Sequence, residues 1–195
     1  MSTFGLYFDL GREHILDANG YDHILFVLAL CAVYLLQDWK KVLILVTAFT
    51  IGHSITLALA TLNIVSVSSV WVEFLIPLTI FATAVSNIFR KEDAVGHSRI
   101  QYNYLLASFF GLIHGLGFSN FLKSLLGSQE SIGWPLFAFN MGLEVGQIII
   151  VGLFLAVSFI AVNLAGANRR DWKIIISSAV AGIALMLMKD RIPGL

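Results

Sequence analysis

Histidine is costly inside a long apolar stretch, and this chain spends it there repeatedly. His53 lies in Thr47-Ala48-Phe49-Thr50-Ile51-Gly52-His53-Ser54, at the middle of an apolar run from Val42 to Val65. His114 lies in Gly111-Leu112-Ile113-His114-Gly115-Leu116-Gly117, in another such run. Asn140, Glu144 and Gln147 are spaced i, i+4, i+7 in a third, so on a helix they share one face. Asp22-His23 and Glu73 stand at the starts of two further runs. Polar and ionisable groups at such depth face a bundle interior and tend to mark function.

Imidazole nitrogen and carboxylate oxygen without a thiolate suit zinc, nickel, cobalt or manganese better than copper(I). Neutral imidazoles can coordinate while Glu144 or Asp22 offsets the cation's charge. Asn140, Gln147 and Ser54 are placed to orient the ligands by hydrogen bonds. The plainer reading is that each polar group bridges helices. For His23 alone the two readings weigh about equally, as does interfacial snorkelling for Glu73. His53, His114 and Glu144 together are three deep ionisable groups on three runs, which packing alone does not require. They are expected to converge. Gly111 and Gly115, with Gly142 and Gly146, give the small-residue spacing that allows close helix approach. They suggest a pocket between their two runs.

The elements that position these groups follow from composition. The chain has 195 residues, 58% of them hydrophobic and 12% charged. A soluble domain carries about 25% charge, so this is read as an integral membrane protein. Runs at about 21–37, 41–65, 70–89, 102–126, 135–165 and 172–188 each approach the length of a spanning helix. The expected fold is all-α: a single six-helix transmembrane domain over 21–190, preceded by an amphipathic, interfacial segment over 1–20. The apolar runs lack the polar faces of a soluble bundle and the alternation of a β-barrel. Pro77 is expected to kink the third run.

Lys and Arg concentrate after the first, third and fifth runs, in Gln37-Asp38-Trp39-Lys40-Lys41, in Arg90-Lys91-Glu92-Asp93 with Arg99, and in Asn168-Arg169-Arg170-Asp171-Trp172-Lys173. The positive-inside rule makes those loops cytoplasmic and both termini external. Lys189 and Arg191 run against that assignment. Under it, every deep polar group falls in the outer half or at the midplane, which was not an input to the charge count. His97 reads as a solvated loop residue, and Cys31 as a small buried hydrophobe. Ser119 follows His114 but carries no sign of activation as a nucleophile. The N-terminus lacks signal-peptide features. Zero net charge suggests no nucleic-acid partner, and no phosphate loop, dinucleotide fingerprint or paired-cysteine motif occurs.

Several segments taken together resemble the HupE/UreJ family. They are Gly11-Arg-Glu-His-Ile-Leu-Asp, Gly20-Tyr-Asp-His-Ile-Leu-Phe, Phe49-Thr-Ile-Gly-His-Ser-Ile-Thr, Phe110-Gly-Leu-Ile-His-Gly-Leu-Gly-Phe and Phe139-Asn-Met-Gly-Leu-Glu-Val-Gly-Gln. The likeness is to the second branch of that family, in its Bacteroidetes-type form. It implies a multi-pass protein of the bacterial inner membrane that passes nickel or cobalt. It adds His14 to Asp22, His23, His53, His114 and Glu144 as matching motif positions. His14 is followed by Ile15, where the nickel branch has proline, and stands further from Asp22-His23.

The expectation is a divalent-metal permease or metal-binding membrane protein, more a carrier than an enzyme, with nickel or cobalt as its metal and Glu73 collecting cations at the entrance. A zinc-dependent intramembrane hydrolase acting on a lipid-like substrate is the alternative, since three histidines and a carboxylate can hold zinc with a position open for water. An accessory structural subunit is a third. The expected partners are the lipid bilayer and the metal ion, with a homo-oligomer or an accessory metal-delivery protein admissible besides.

Overall fold

The structure, a computed structural model, describes residues 2–90, 97–126 and 132–194. Among the described residues there are helices and no strands. In chain order they are α1 (Thr3–Leu16), α2 (Asp22–Cys31), α3 (Trp39–Thr61), α4 (Ser69–Phe89), α5 (His97–Gly117), α6 (Ser119–Leu126), α7 (Gly133–Phe159) and α8 (Arg169–Asp190). A 3₁₀ turn at Leu36–Asp38 leads into α3, and a π turn at Ile160–Leu164 ends α7. Ile44, Ile51, Leu105, Leu153, Ile175 and Met186 are exposed, as side chains facing lipid would be.

Among the described residues, four helices are long and apolar enough to cross a membrane: Leu36–Thr61, Ser69–Phe89, Gly133–Leu164 and Arg169–Asp190. The α5–α6 pair would be a fifth, bent by 48° at Phe118. The first apolar run differs most from expectation. Its helix stops at Cys31 after ten residues, about 15 Å at 1.5 Å per residue and half of a ~30 Å hydrocarbon core. Asp22 opens α2, where a carboxylate complements the positive helix end. α4 runs through Pro77 as one helix. His97 opens α5 rather than lying in a loop, and its side chain lies outside the described residues.

Two close helix crossings frame the interior, and glycine makes both. A Cβ on Gly52 of α3 would run into the Ser108 carbonyl of α5, and one on Gly111 would run into the Phe49 carbonyl of α3. A Cβ on Gly11 of α1 would meet the Phe139 carbonyl of α7, and one on Gly142 would meet the Phe8 carbonyl of α1. In each pair, a glycine seats against the carbonyl three residues before the partner glycine. Gly115 backs onto His53 and Thr56, and Gly146 onto Ile15. The two small-residue pairs therefore do not face each other, as the sequence had suggested. Gly111 and Gly115 bind α5 to α3, while Gly142 and Gly146 bind α7 to α1. The N-terminal helix is thereby held along α7.

The ends of the bundle differ in charge. At one end Asp38 holds Lys41 at 2.6 Å and lies 3.9 Å from Arg169. Lys173 donates to the Arg90 carbonyl nearby, which brings the three basic connections together. At the other end Phe4 packs on Trp134, Lys123 donates to Asn63, and Arg191 reaches Asp22. Arg191, which ran against the charge count, is thus paired with a carboxylate.

Candidate metal centre

Four histidines meet in the interior. Gly11 allows α1 to approach α7 closely and so carries His14, one turn later, inward. Gly52 and Gly111 do the same for His53 and His114. His23 enters from the first turn of α2. His14, His23 and His53 each offer a ring nitrogen, and these three atoms lie within 4.8 Å of one another. The His14 and His23 rings are 4.6 Å apart, and His23 lies 6.0 Å from His53 and 5.3 Å from His114, centroid to centroid. His53 and His114 are fully buried.

The tautomers follow from the partners. His23 Nδ1 lies 3.1 Å from Asp22 Oδ1, so that nitrogen carries the hydrogen and Nε2 presents its lone pair inward. Thr79 Oγ1 donates to the Ile76 carbonyl at 2.7 Å and stands 3.1 Å from His114 Nε2. A hydroxyl has one proton. With it on the carbonyl, His114 Nε2 must be the donor, and His114 Nδ1 keeps a free lone pair. His14 Nε2, His23 Nε2, both nitrogens of His53 and His114 Nδ1 are buried with no hydrogen-bond partner. Leaving buried polar atoms unsatisfied costs about 1–3 kcal/mol each, so a cluster of five is a strong signal that something else satisfies them. A cation would satisfy those that present a lone pair, one per neutral ring.

Aromatic rings wall the cluster. Phe118 lies 4.0 Å from the His14 ring, and Phe26 and Phe49 lie 4.9 and 5.2 Å from His114. On the side of Arg191, a cavity of about 270 Å³ leads to the cluster, lined by His14, Asp22, His23, Glu73, His114 and Arg191 among others. Glu73 is exposed at this cavity rather than among the imidazoles.

Glu144 is placed apart. It accepts a hydrogen bond from Thr47, and Gln147 accepts one from Thr50 at 2.8 Å. Thr47 precedes His53 by six residues, about 9 Å along α3. Glu144 and Gln147 thus form a polar pair between α3 and α7, with Glu144 Oε2 and Gln147 Nε2 buried and unpartnered like the imidazole nitrogens, while the three ligand atoms within 4.8 Å of one another come from His14, His23 and His53. Asn140 donates to the Leu136 carbonyl and Ser54 to the Thr50 carbonyl, each on its own helix.

Reasoning from residue types alone left out His14, Thr79, Phe118 and Arg191. The signal for His14 was the Gly-x-x-His spacing that Gly11 and His14 share with Gly111 and His114. For Arg191 it was a basic residue at the otherwise base-poor end.

Helices of this length and apolarity around a buried imidazole cluster define a polytopic membrane protein with the makings of a metal centre. The family model described as HupE / UreJ protein matches residues 1–191. The chain belongs to the HupE/UreJ family. No curated protein and no solved structure matches it.

Proposed function

We propose that this protein is an inner-membrane permease for a divalent transition-metal cation, nickel or cobalt. The observation that carries this is the group of three imidazole nitrogens, His14, His23 and His53, within 4.8 Å of one another beneath a carboxylate-bearing cavity. Asp22 and Glu73 draw a hydrated cation into that cavity. The imidazoles replace its water, with His114 Nδ1 as a fourth donor. Neutral nitrogen ligands bind without the charge of thiolates, which suits a site that must also release. Family membership supports the choice of nickel and cobalt. In this reading the chain crosses the membrane six times, with α2 and its extension to α3 as the first crossing. The basic connections face the cytoplasm, and both termini face outward.

A zinc hydrolase is the reading to exclude, and one observation favours it. The clustered ligands are all histidine, and Asp22 orients one of them, as in hydrolytic zinc centres. Metal analysis of the purified protein, with nickel and cobalt uptake into sealed proteoliposomes, separates the two. A permease binds nickel or cobalt in the micromolar range or weaker and moves it. Zinc retained at one per chain with no uptake overturns the permease. Thiol labelling of cysteines placed at Ser2 and Gly194 in intact spheroplasts tests the orientation, and labelling only after permeabilisation would invert it.

A further inference from the structure

Beyond the imidazole cluster, toward Asp38 and Arg90, lies a second cavity of about 310 Å³. Thr83, Ser86, Asn87, Tyr34 and Asn103 supply its polar groups, and Arg90 lines it too. One face of α4 runs from the first cavity to the second. Glu73 and Ile76 line the first, and Thr83, Ser86 and Asn87 line the second. Thr79 lies between, in contact with His114, and Thr83 donates to the Thr79 carbonyl at 2.8 Å. Residues 76, 79, 83 and 86 follow the three-to-four spacing of a single helix face. What separates the cavities is aromatic. Phe26 packs on Phe49 at 4.8 Å, on His114 at 4.9 Å and on Phe110 at 6.1 Å, and Phe110 itself borders the second cavity.

Resting on the permease reading, we propose that the cation leaves the imidazole cluster along this face of α4, through the second cavity, and that the His114–Thr79 contact with Phe26 and Phe49 is the gate between the two. Among the described residues, the hydroxyls, amides and phenols of the second cavity stand in a mostly apolar wall with no carboxylate. Such a wall rehydrates a cation without trapping it, as release requires. His114 stands at this gate: its Nε2 is held by Thr79, and its Nδ1 is buried without a partner. A turn of the ring that breaks the Thr79 contact moves a metal ligand from one cavity toward the other.

The test uses the full chain in inside-out vesicles and in detergent, with nickel as the probe. Thr79→Val keeps the β-branched shape and removes the hydroxyl. Ser86→Cys, in a Cys31→Ser background, puts a thiol in the second cavity for a bulky, impermeant thiosulfonate added from the cytoplasmic face. Ser86→Cys should leave nickel bound per chain at the wild-type value, whereas Thr79→Val also frees His114 Nε2 and is therefore read as transport at saturating nickel. Each should cut transport by about tenfold or more, the scale of one lost polar contact on the path. Transport at the wild-type rate in both would overturn the route while leaving the permease standing. A wild-type protein that binds nickel and carries none would overturn both.

Discussion

Asp22 touches His23 Nδ1 through one oxygen, at 3.1 Å, and Arg191 Nη1 through the other, at 3.2 Å. One carboxylate therefore fixes the His23 ring, whose Nε2 is left unpartnered, and ties Arg191 to the start of α2. Asp22→Asn keeps the shape but weakens the hold on the imidazole N–H. Nickel affinity should fall on the order of 10–100-fold, the usual scale for a group that orients a ligand, with helicity unchanged. Calorimetric titration of the purified variant reads this directly, and an undiminished affinity would deny Asp22 that part.

The glycine crossings make a sharper claim about stability than the site does. A Cβ at Gly52 has a carbonyl oxygen in its place, and backbone cannot move aside as a side chain can. Gly52→Ala should destabilise by at least the 1–3 kcal/mol typical of overpacking. Gly11→Ala should do the same at the other crossing. Gly152→Ala and Gly182→Ala, where a Cβ meets nothing within 4 Å, should leave thermal unfolding in detergent where it is. Equal melting of Gly52→Ala and Gly152→Ala would show that α3 and α5 are not so close.

Glu144 carries a third prediction. Its hydrogen bond is to Thr47, away from the imidazoles. Glu144→Gln preserves an acceptor for that hydroxyl, so nickel bound per chain should stay at the wild-type value, whereas His53→Ala should lose it. Mass spectrometry for metal on both proteins decides this. Loss of metal from Glu144→Gln would return the carboxylate to the ligand set.

Much of this architecture was readable beforehand because lipid leaves few options. Apolar runs must be helices if they lie in hydrocarbon, so α3, α4, α7 and α8 were visible as runs of apolar residues. Deep histidines are rare enough to announce themselves, as His53 and His114 did. Partner choice was not readable. The same Gly-x-x-x-Gly spacing serves any neighbour, so nothing in Gly111 or Gly142 said that the mates were α3 and α1. For Glu144, sharing a face with Gln147 fixes a direction on α7 and leaves the facing helix open. α2 was overestimated because apolar composition continues through Ala32 to Leu36 while the helix stops at Cys31. His14 was obscured by the charges around it, Arg12, Glu13 and Asp17, which made α1 look like a surface helix.

The last prediction concerns protons. A metal and a proton compete for the same imidazole lone pair, so affinity must fall once the pH is low enough to protonate the metal-free rings. The direction is fixed: neutral rings bind, protonated rings do not. The steepness reports how many rings take part. One ligand gives a slope of about one logarithmic unit of affinity per pH unit, and His14, His23 and His53 acting together approach about three. Removing His53 should lower both the affinity and the slope, whereas Glu144→Gln should leave the slope alone. Nickel titrations carried from about pH 7.5 downward for as long as the helices stay folded find the pH at which protons begin to compete. An affinity that stays flat until the helices themselves unfold would mean that histidine does not hold the metal, and the unsatisfied nitrogens at the centre of the bundle would need another explanation.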